Sequence, residues 1–215
     1  MTGSLLHVSA SPHGADAHSR LTGDQLAARL CATGGLTHLR RDLAAEPPAL
    51  PDRAFAEASL TAEPARSPAQ RRVLEASERL IAELETASAV VIDTPMHNFT
   101  VPASLKAWID LVVRPGRSFR TTATGKQGLL ADRPVFLIAS CGGRVSGPHG
   151  QADFLTPYLR HVLATIGLHD LSELALEGML RGPDSVAAQQ RAAETWITTC
   201  VDAFARRREP ARDAC

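Results

Sequence analysis

Short apolar runs rich in β-branched residues recur along this chain, separated by stretches with apolar residues at helical spacing. Such runs are typical of buried parallel strands, and the stretches between them are typical of helices that cover a sheet. Five strands are predicted in this way, at residues 4–9, 36–42, 89–92, 134–140 and 170–175. The alternation predicts an α/β fold, a doubly wound parallel sheet in the order 2-1-3-4-5 with helices on both faces.

Five helices are predicted from apolar residues three or four positions apart. One start is marked by Ser67, Pro68 and Gln70, which combine an N-cap, a proline in the first turn and a capping box. Gly167 marks a helix end, and the proline-rich segment 47–68 is predicted to be mostly loop. The residues that mark the helices are Leu21, Leu26 and Leu30; Val73, Leu74, Leu80, Ile81 and Leu84; Leu105, Trp108, Ile109 and Leu111; Leu155, Leu159, Val162, Leu163 and Ile166; and Val186, Ala193, Ile197, Val201 and Phe204.

Length and charge narrow the possible functions. With 215 residues, 44% of them hydrophobic, residues 1–215 are predicted to form one domain, with an excursion over one sheet edge at about 114–128. Lys plus Arg equals Asp plus Glu at 23 each, so nucleic acid is not expected as a partner. No membrane span or leader pattern is present, which predicts a cytoplasmic protein. Reduced thiols and no metal site are expected, because metal-ligand spacing is absent around Cys31, Cys141, Cys200 and Cys215.

Residues 10–19 link the first strand to the first helix and are rich in hydroxyl groups. The free N–H groups at a helix start and the positive end of the helix dipole attract anions. The loop therefore predicts a phosphate site, although Ser19 by itself fits a simple N-cap equally well. The glycine patterns of a dinucleotide site and of a P-loop are both missing from the sequence.

Two further loops carry candidate chemistry at strand ends. Residues 94–102 are stiffened by two prolines and present a thioether, an imidazole, an amide and a phenyl ring, which suits either a flat aromatic ligand or an ordinary connection. Residues 140–143 end in paired glycines, which either allow close approach of a ligand or form a turn. The predicted strand order makes all three loops neighbours at the topological switch point. A phosphate at the first loop and a flat ring between the others describe flavin mononucleotide (FMN).

These motifs together resemble those of the FMN-dependent NADH:quinone oxidoreductases, also called azoreductases, which have a flavodoxin-like fold. The resemblance spans nearly the whole chain and rests on Ser11 to Gly14 with Ser19, Pro95 to Phe99 with Pro102, Leu105 to Trp108, Gly116 with Phe119 and Arg120, Gly125 to Leu129, Gly142 with Gly143, Pro157 to Leu159, Ile166 with Gly167, and Glu177 with Gly178. It implies an enzyme that passes hydride from NADH or NADPH through FMN to a quinone or azo compound by ping-pong turnover.

The resemblance also assigns roles to residues. It implies a phosphate site at Ser11, Ala17, His18 and Ser19, a ring site at Pro95, Met96, His97, Asn98 and Phe99, and a pyrimidine-edge site at Ser140, Cys141, Gly142 and Gly143. A substrate wall is implied at His97, Phe119 and Thr121. No side chain acts as a nucleophile. A homodimer with its active site at the subunit boundary is expected, consistent with the apolar helix at 102–113 and the projecting segment after it.

Four positions depart from the family pattern, which commonly has serine at Ala17, tyrosine at His97, tyrosine at Thr121 and arginine at Cys141. The departures remove one phosphate hydrogen bond and change the polarity of the substrate wall. His97 fits either a titratable group beside the ring or a spacer packed on Phe99, and Cys141 fits either a packing residue or a redox thiol. Two other functions stay open: a flavodoxin-like electron carrier, and a reductase that tailors one aromatic metabolite.

Overall fold

A computed structural model describes residues 3–208 and shows a five-stranded parallel sheet between two layers of helices. The strands are β1 Ser4–Ser9, β2 Thr37–Asp42, β3 Ala87–Pro95, β4 Phe119–Thr122, β5 Gly125–Gly128, β6 Val135–Ser140 and β7 Leu171–Leu176. The helices are α1 His18–Gly34, α2 Arg53–Leu60, α3 Pro68–Thr86, α4 Ala103–Val112, α5 Thr156–Ile166 and α6 Pro183–Arg208. The sheet order is β2-β1-β3-β6-β7 with every pair parallel, which confirms the predicted order 2-1-3-4-5 among its strands.

The two faces of the sheet bury different residues, because side chains alternate along a strand. Leu5 and Val91 belong to a core cluster that includes residues of α1 and α6. Their neighbours Leu6 and Ile92 belong to a second cluster built with α3, α4 and α5. Helices therefore cover both faces, as the apolar runs predicted.

Helix α3 begins where the sequence predicted. Ser67 Oγ accepts a hydrogen bond from Gln70 N at 3.2 Å, and Gln70 Oε1 accepts one from Ser67 N at 2.9 Å, which completes the capping box. The predicted buried face is wrong at Val73, which is 39% exposed, whereas Leu74 is buried. Val73 lies about 100° from Leu74 around the helix, which leaves its side chain partly exposed.

The prediction that residues 47–68 are mostly loop is wrong at Arg53–Leu60, which form α2. Asp52 caps this helix by accepting a hydrogen bond from Phe55 N at 2.8 Å. Phe55 and Ala58 are buried on its inner face. The prolines of this segment lie before and after the helix and not within it, so they are compatible with it. Burial of its inner face stabilises the helix.

The segment after α4 forms an antiparallel hairpin of β4 and β5. It packs against the end of α5, where Leu130 N donates to Ile166 O at 3.0 Å. Gly128 lies against the backbone of Gly167, and Gly167 lies against the backbone oxygen of Leu130, so neither position has room for a β-carbon. The excursion therefore packs on a helix, close to the amino ends of β6 and β7.

Candidate active site

Three loops lie side by side at the carboxyl ends of β1, β3 and β6. Ser9 at the end of β1 is in register with Asp93 of β3, and Pro95 at the end of β3 is in register with Ser140 at the end of β6. Since parallel strands end at one edge of a sheet, residues following β1, β3 and β6 share one surface. The fold thus brings together the loops at 10–19, 94–102 and 140–143.

The first loop enters α1 through a 3-10 turn at Gly14–Asp16 and an extended Ala17 in the cap position. Ala17 contributes no side-chain cap bond, and Leu21 N donates to Ala17 O at 2.9 Å. The N–H groups of residues 18–20 consequently have no carbonyl partner within the helix. Together with the helix dipole, they form a positive site for an anion.

Ser19 is the second residue of α1 and is fully buried. Its Oγ has no hydrogen-bond partner among residues 3–208. Because Ala17 occupies the cap position, the interpretation of Ser19 as an N-cap is wrong. A buried hydroxyl without a partner costs about 1–3 kcal/mol, so this group is suited to a ligand that accepts a hydrogen bond from it. Ser11 is also buried in this loop, and His18 is half-buried.

The second loop contains a strained two-residue turn. His97 and Thr100 exchange backbone hydrogen bonds of 2.9 and 3.0 Å around Asn98 and Phe99. Asn98 and Phe99 have φ values of 48° and 71°, in the left-handed region. This conformation costs about 1–2 kcal/mol for a residue other than glycine, and such strain is concentrated at functional sites. The side chains of residues 97–99 are exposed at the strand edge, while Met96 is half-buried.

The third loop is held by the segment that follows β7. Cys141 N donates to Leu176 O at 2.9 Å, and Gly143 O accepts from Gly178 N at 2.7 Å. The N–H groups of Gly142 and Gly143 donate to no acceptor within the described part of the chain. They are therefore available to a ligand at this edge.

Cys141 is buried in the third loop. Burial raises the pKa of its thiol to about 11, with further contributions from Glu177 and Asp153. A thiol with this pKa carries little thiolate at neutral pH, which favours the packing role over the redox role. Cys215 lies outside the described residues.

Residues of the β6–α5 and β7–α6 connections complete the site, and sequence reasoning missed them. Gln151 Nε2 donates to Met96 Sδ at 3.3 Å, and a β-carbon on Gly143 would lie 2.7 Å from Gln151 Oε1. Phe154 N donates to Phe99 O at 3.0 Å, which ties the connection to the strained turn. Leu180 is 88% exposed and lies over Gly142. The glycine pair thus makes room for Gln151 and Leu180, and no periodic pattern in the sequence signals these contacts.

Comparison with known proteins agrees with this geometry. The chain matches the family described as having a flavodoxin-like fold over residues 4–199. It is 48% identical to FMN-dependent NADH:quinone oxidoreductase 2 of Cupriavidus pinatubonensis, over 89% of this chain and 94% of that protein. The chain belongs to the FMN-dependent NADH:quinone oxidoreductase family. A second member, FMN-dependent NADH:quinone oxidoreductase 4 of Pseudomonas fluorescens, is 45% identical over 86% of this chain and 88% of its own length.

The fold of this quinone oxidoreductase family member is similar to the folds of solved azoreductase structures. An azoreductase from Bacillus anthracis superposes with a TM-score of 0.81 at 21% identity, covering 96% of this chain and 100% of that chain. A Bacillus anthracis FMN-dependent NADH-azoreductase in complex with FMN gives a TM-score of 0.80 at 20% identity, covering 94% and 100% of the two chains. At these identities, the comparison establishes the shared fold.

The structure separates part of the predicted substrate wall from the three loops. Phe119 is 7% exposed, and Lys126 Nζ lies 4.9 Å from the centre of its ring. Thr121 is exposed on the same strand, but the hairpin sits near the amino ends of β6 and β7. Within one chain of this quinone oxidoreductase family member, these two residues therefore do not adjoin His97.

His97 is exposed at the strained turn, and no ring contact between His97 and Phe99 occurs in the described residues. The proposed packing of the imidazole on Phe99 is thus not observed.

Across residues 3–208 of this quinone oxidoreductase family member, no helix has the length and apolar character needed to cross a membrane.

Proposed function

We propose that this chain binds FMN across the three loops and uses it to pass hydride from NADH or NADPH to a quinone or azo compound. The observation that carries the proposal is the buried Ser19 hydroxyl at the open end of α1, which has no partner among residues 3–208. A phosphate oxygen would accept a hydrogen bond from this hydroxyl, and the N–H groups of residues 18–20 would bind further oxygens. Relatives at 48% and 45% identity are named FMN-dependent NADH:quinone oxidoreductases, which supports the same cofactor and donor.

The ring system would lie between the second and third loops. Pro95 and residues 96–99 would form one wall, and residues 140–143 would meet the pyrimidine edge. The unpaired N–H groups of Gly142 and Gly143 would stabilise negative charge that develops at this edge. Bound FMN would accept and release hydride, so no nucleophilic side chain is needed. Since NADH is a cofactor of the cell interior, we place the reaction in the cytoplasm.

The spectrum of the purified protein tests the proposal directly. Visible flavin absorbance is expected, either as isolated or after addition of FMN. NADH and NADPH oxidation is then measured with a panel of quinones and azo dyes, which identifies the preferred donor and acceptor. A protein that neither carries nor binds FMN would overturn the proposal.

Turnover is expected to follow a ping-pong scheme, because the sequence contains no separate dinucleotide fingerprint and both substrates would use one ring face in turn. Steady-state rates at several fixed acceptor concentrations should give parallel double-reciprocal lines against NADH. NADH alone should also bleach the bound cofactor. Intersecting lines without such bleaching would exclude this scheme.

A homodimer with shared active sites is expected. The apolar residues of α4 do not support it, because Leu105, Trp108 and Ile109 are buried within the chain itself. The remaining support is the distance of the hairpin from its own site and the exposed Leu50 and Leu60, at 76% and 79%. In a dimer, the exposed side of the hairpin, which includes Thr121 but not the buried Phe119, would contribute to the partner's site. Sedimentation of the active protein should show a dimer, and a fully active monomer would refute the assembly.

A further inference from the structure

A charged cluster lies inside the fold, between the sheet and α1. His7 of β1 and Asp93 of β3 are both fully buried, and His7 Nε2 lies 2.7 Å from Asp93 Oδ2. Ser9 Oγ donates to the other carboxylate oxygen at 2.9 Å. A buried carboxylate is stable only when it is paired and hydrogen-bonded, and His7 and Ser9 supply both conditions.

This cluster sits beneath the helix that carries the anion site. A β-carbon on Gly23 of α1 would lie 2.9 Å from His7 Nε2 and 3.1 Å from Asp93 Oδ2. Gly23 follows Ser19 by four residues, so both positions face the sheet on one side of α1, and both are buried. Asp93 therefore lies about one helical turn, ~5 to 8 Å, below the first turn of α1.

Both ring nitrogens of His7 have polar neighbours. Its Nδ1 lies 3.2 Å from His38 Nε2, and the two rings stack at 5.3 Å between centres. Burial, then His7 and Arg40, lowers the pKa of His38, which leaves its ring nitrogen able to accept a hydrogen bond. Asp24 lies 3.7 Å from His7 Nδ1 and is itself paired with Arg40 at 2.6 Å. When the acceptor nitrogen of the neutral His38 ring faces His7, both nitrogens of His7 donate hydrogen bonds, as in an imidazolium.

We propose that His7 is a positioning residue for phosphate binding: as an imidazolium it neutralises Asp93, so that no unpaired negative charge lies beneath the anion site at Ser19. This inference rests on the function proposed above. Without His7, the Asp93 carboxylate would repel the phosphate through the interior of the protein. At about 8 Å and an effective dielectric near 20, one unpaired charge weakens binding of a singly charged partner by roughly thirtyfold.

The test compares FMN with riboflavin, which has the same ring but lacks the phosphate. Dissociation constants are measured by flavin fluorescence quenching on the full chain after exchange of its flavin. His7→Gln should reduce the preference for FMN over riboflavin by more than about tenfold. Asp93→Asn should retain the preference, and the double variant His7→Gln with Asp93→Asn should recover it, because neither leaves an unpaired carboxylate.

A purely structural role for the pair would weaken both flavins equally in every variant and would overturn the inference. An unchanged preference in His7→Gln would overturn it as well. If the parent protein does not prefer FMN, the phosphate site itself is wrong, which is a separate failure. If His7→Gln does not fold, nitrogen NMR of the parent at pH 7 decides the question: both His7 ring nitrogens must be protonated, and a neutral ring overturns the inference.

Discussion

Ser19→Asp is expected to weaken FMN binding by about a thousandfold while leaving riboflavin binding nearly unchanged. The substitution places a carboxylate at the buried position where the phosphate would receive a hydrogen bond. At about 4 Å and an effective dielectric near 20, repulsion is roughly 4 kcal/mol per charge pair, and a phosphomonoester carries about −1.5 to −2 charges at neutral pH. Fluorescence titration of both flavins measures the effect.

Ser19→Ala is the matched control, because it removes the hydroxyl without adding charge. Its loss of FMN affinity should be about tenfold, corresponding to one charge-assisted hydrogen bond. Asp16 in the same loop is exposed to solvent, so its carboxylate does not obscure the difference between Ser19→Asp and Ser19→Ala. If Ser19→Asp keeps FMN as tightly as the parent, or loses riboflavin equally, the phosphate does not bind at the start of α1.

Gly167→Ala is expected to lower the free energy of unfolding by about 3 kcal/mol. Gly167 ends α5 with φ of 106°, and a β-carbon there would collide with the backbone oxygen of Leu130. The substitution therefore combines backbone strain with a clash against the segment that leads out of the hairpin. Urea unfolding of the purified variant measures the loss.

Gly35→Ala separates these two effects. Gly35 ends α1 with φ of 60°, but within the described part of the chain no atom lies within 4 Å of a β-carbon built there. Its substitution should cost only the left-handed strain, about 1 kcal/mol. Equal losses at the two positions would mean that the Leu130 backbone yields freely and that the hairpin is not held firmly against α5.

The sequence was sufficient wherever the deciding interactions are local. The capping box at Ser67 involves residues three positions apart, and the αL end at Gly167 follows from the only residue that adopts positive φ without penalty. Buried parallel strands are likewise marked by continuous apolar runs. The strand order followed from the alternation of strands and helices, because few connections between them are sterically allowed. The position of three candidate loops at one sheet edge followed in turn.

Contacts between residues distant in sequence were decided only by the tertiary structure. Burial of Phe55 and Ala58 stabilises α2 in a segment whose prolines predict loop, and the packing of α3 on the sheet leaves Val73 partly exposed. The hairpin lies on α5 because two glycines, Gly128 and Gly167, permit backbone contact there. No local sequence pattern predicts these contacts, because each depends on the shape of a second element that is distant in the sequence.

In the candidate active site too, the sequence predicted some features and the tertiary structure decided the others. The sequence identified Ser19 as a hydroxyl near a helix start, but only the fold places Ala17 at the cap and leaves the Ser19 hydroxyl buried, with no partner in the described chain. His7 and Asp93 lie 86 positions apart and meet because β1 and β3 are adjacent and because Gly23 lets α1 approach them. The partner of a buried charge decides whether that charge is neutralised. Sheet topology determines which residue is the partner, and the neighbouring residues in the sequence do not.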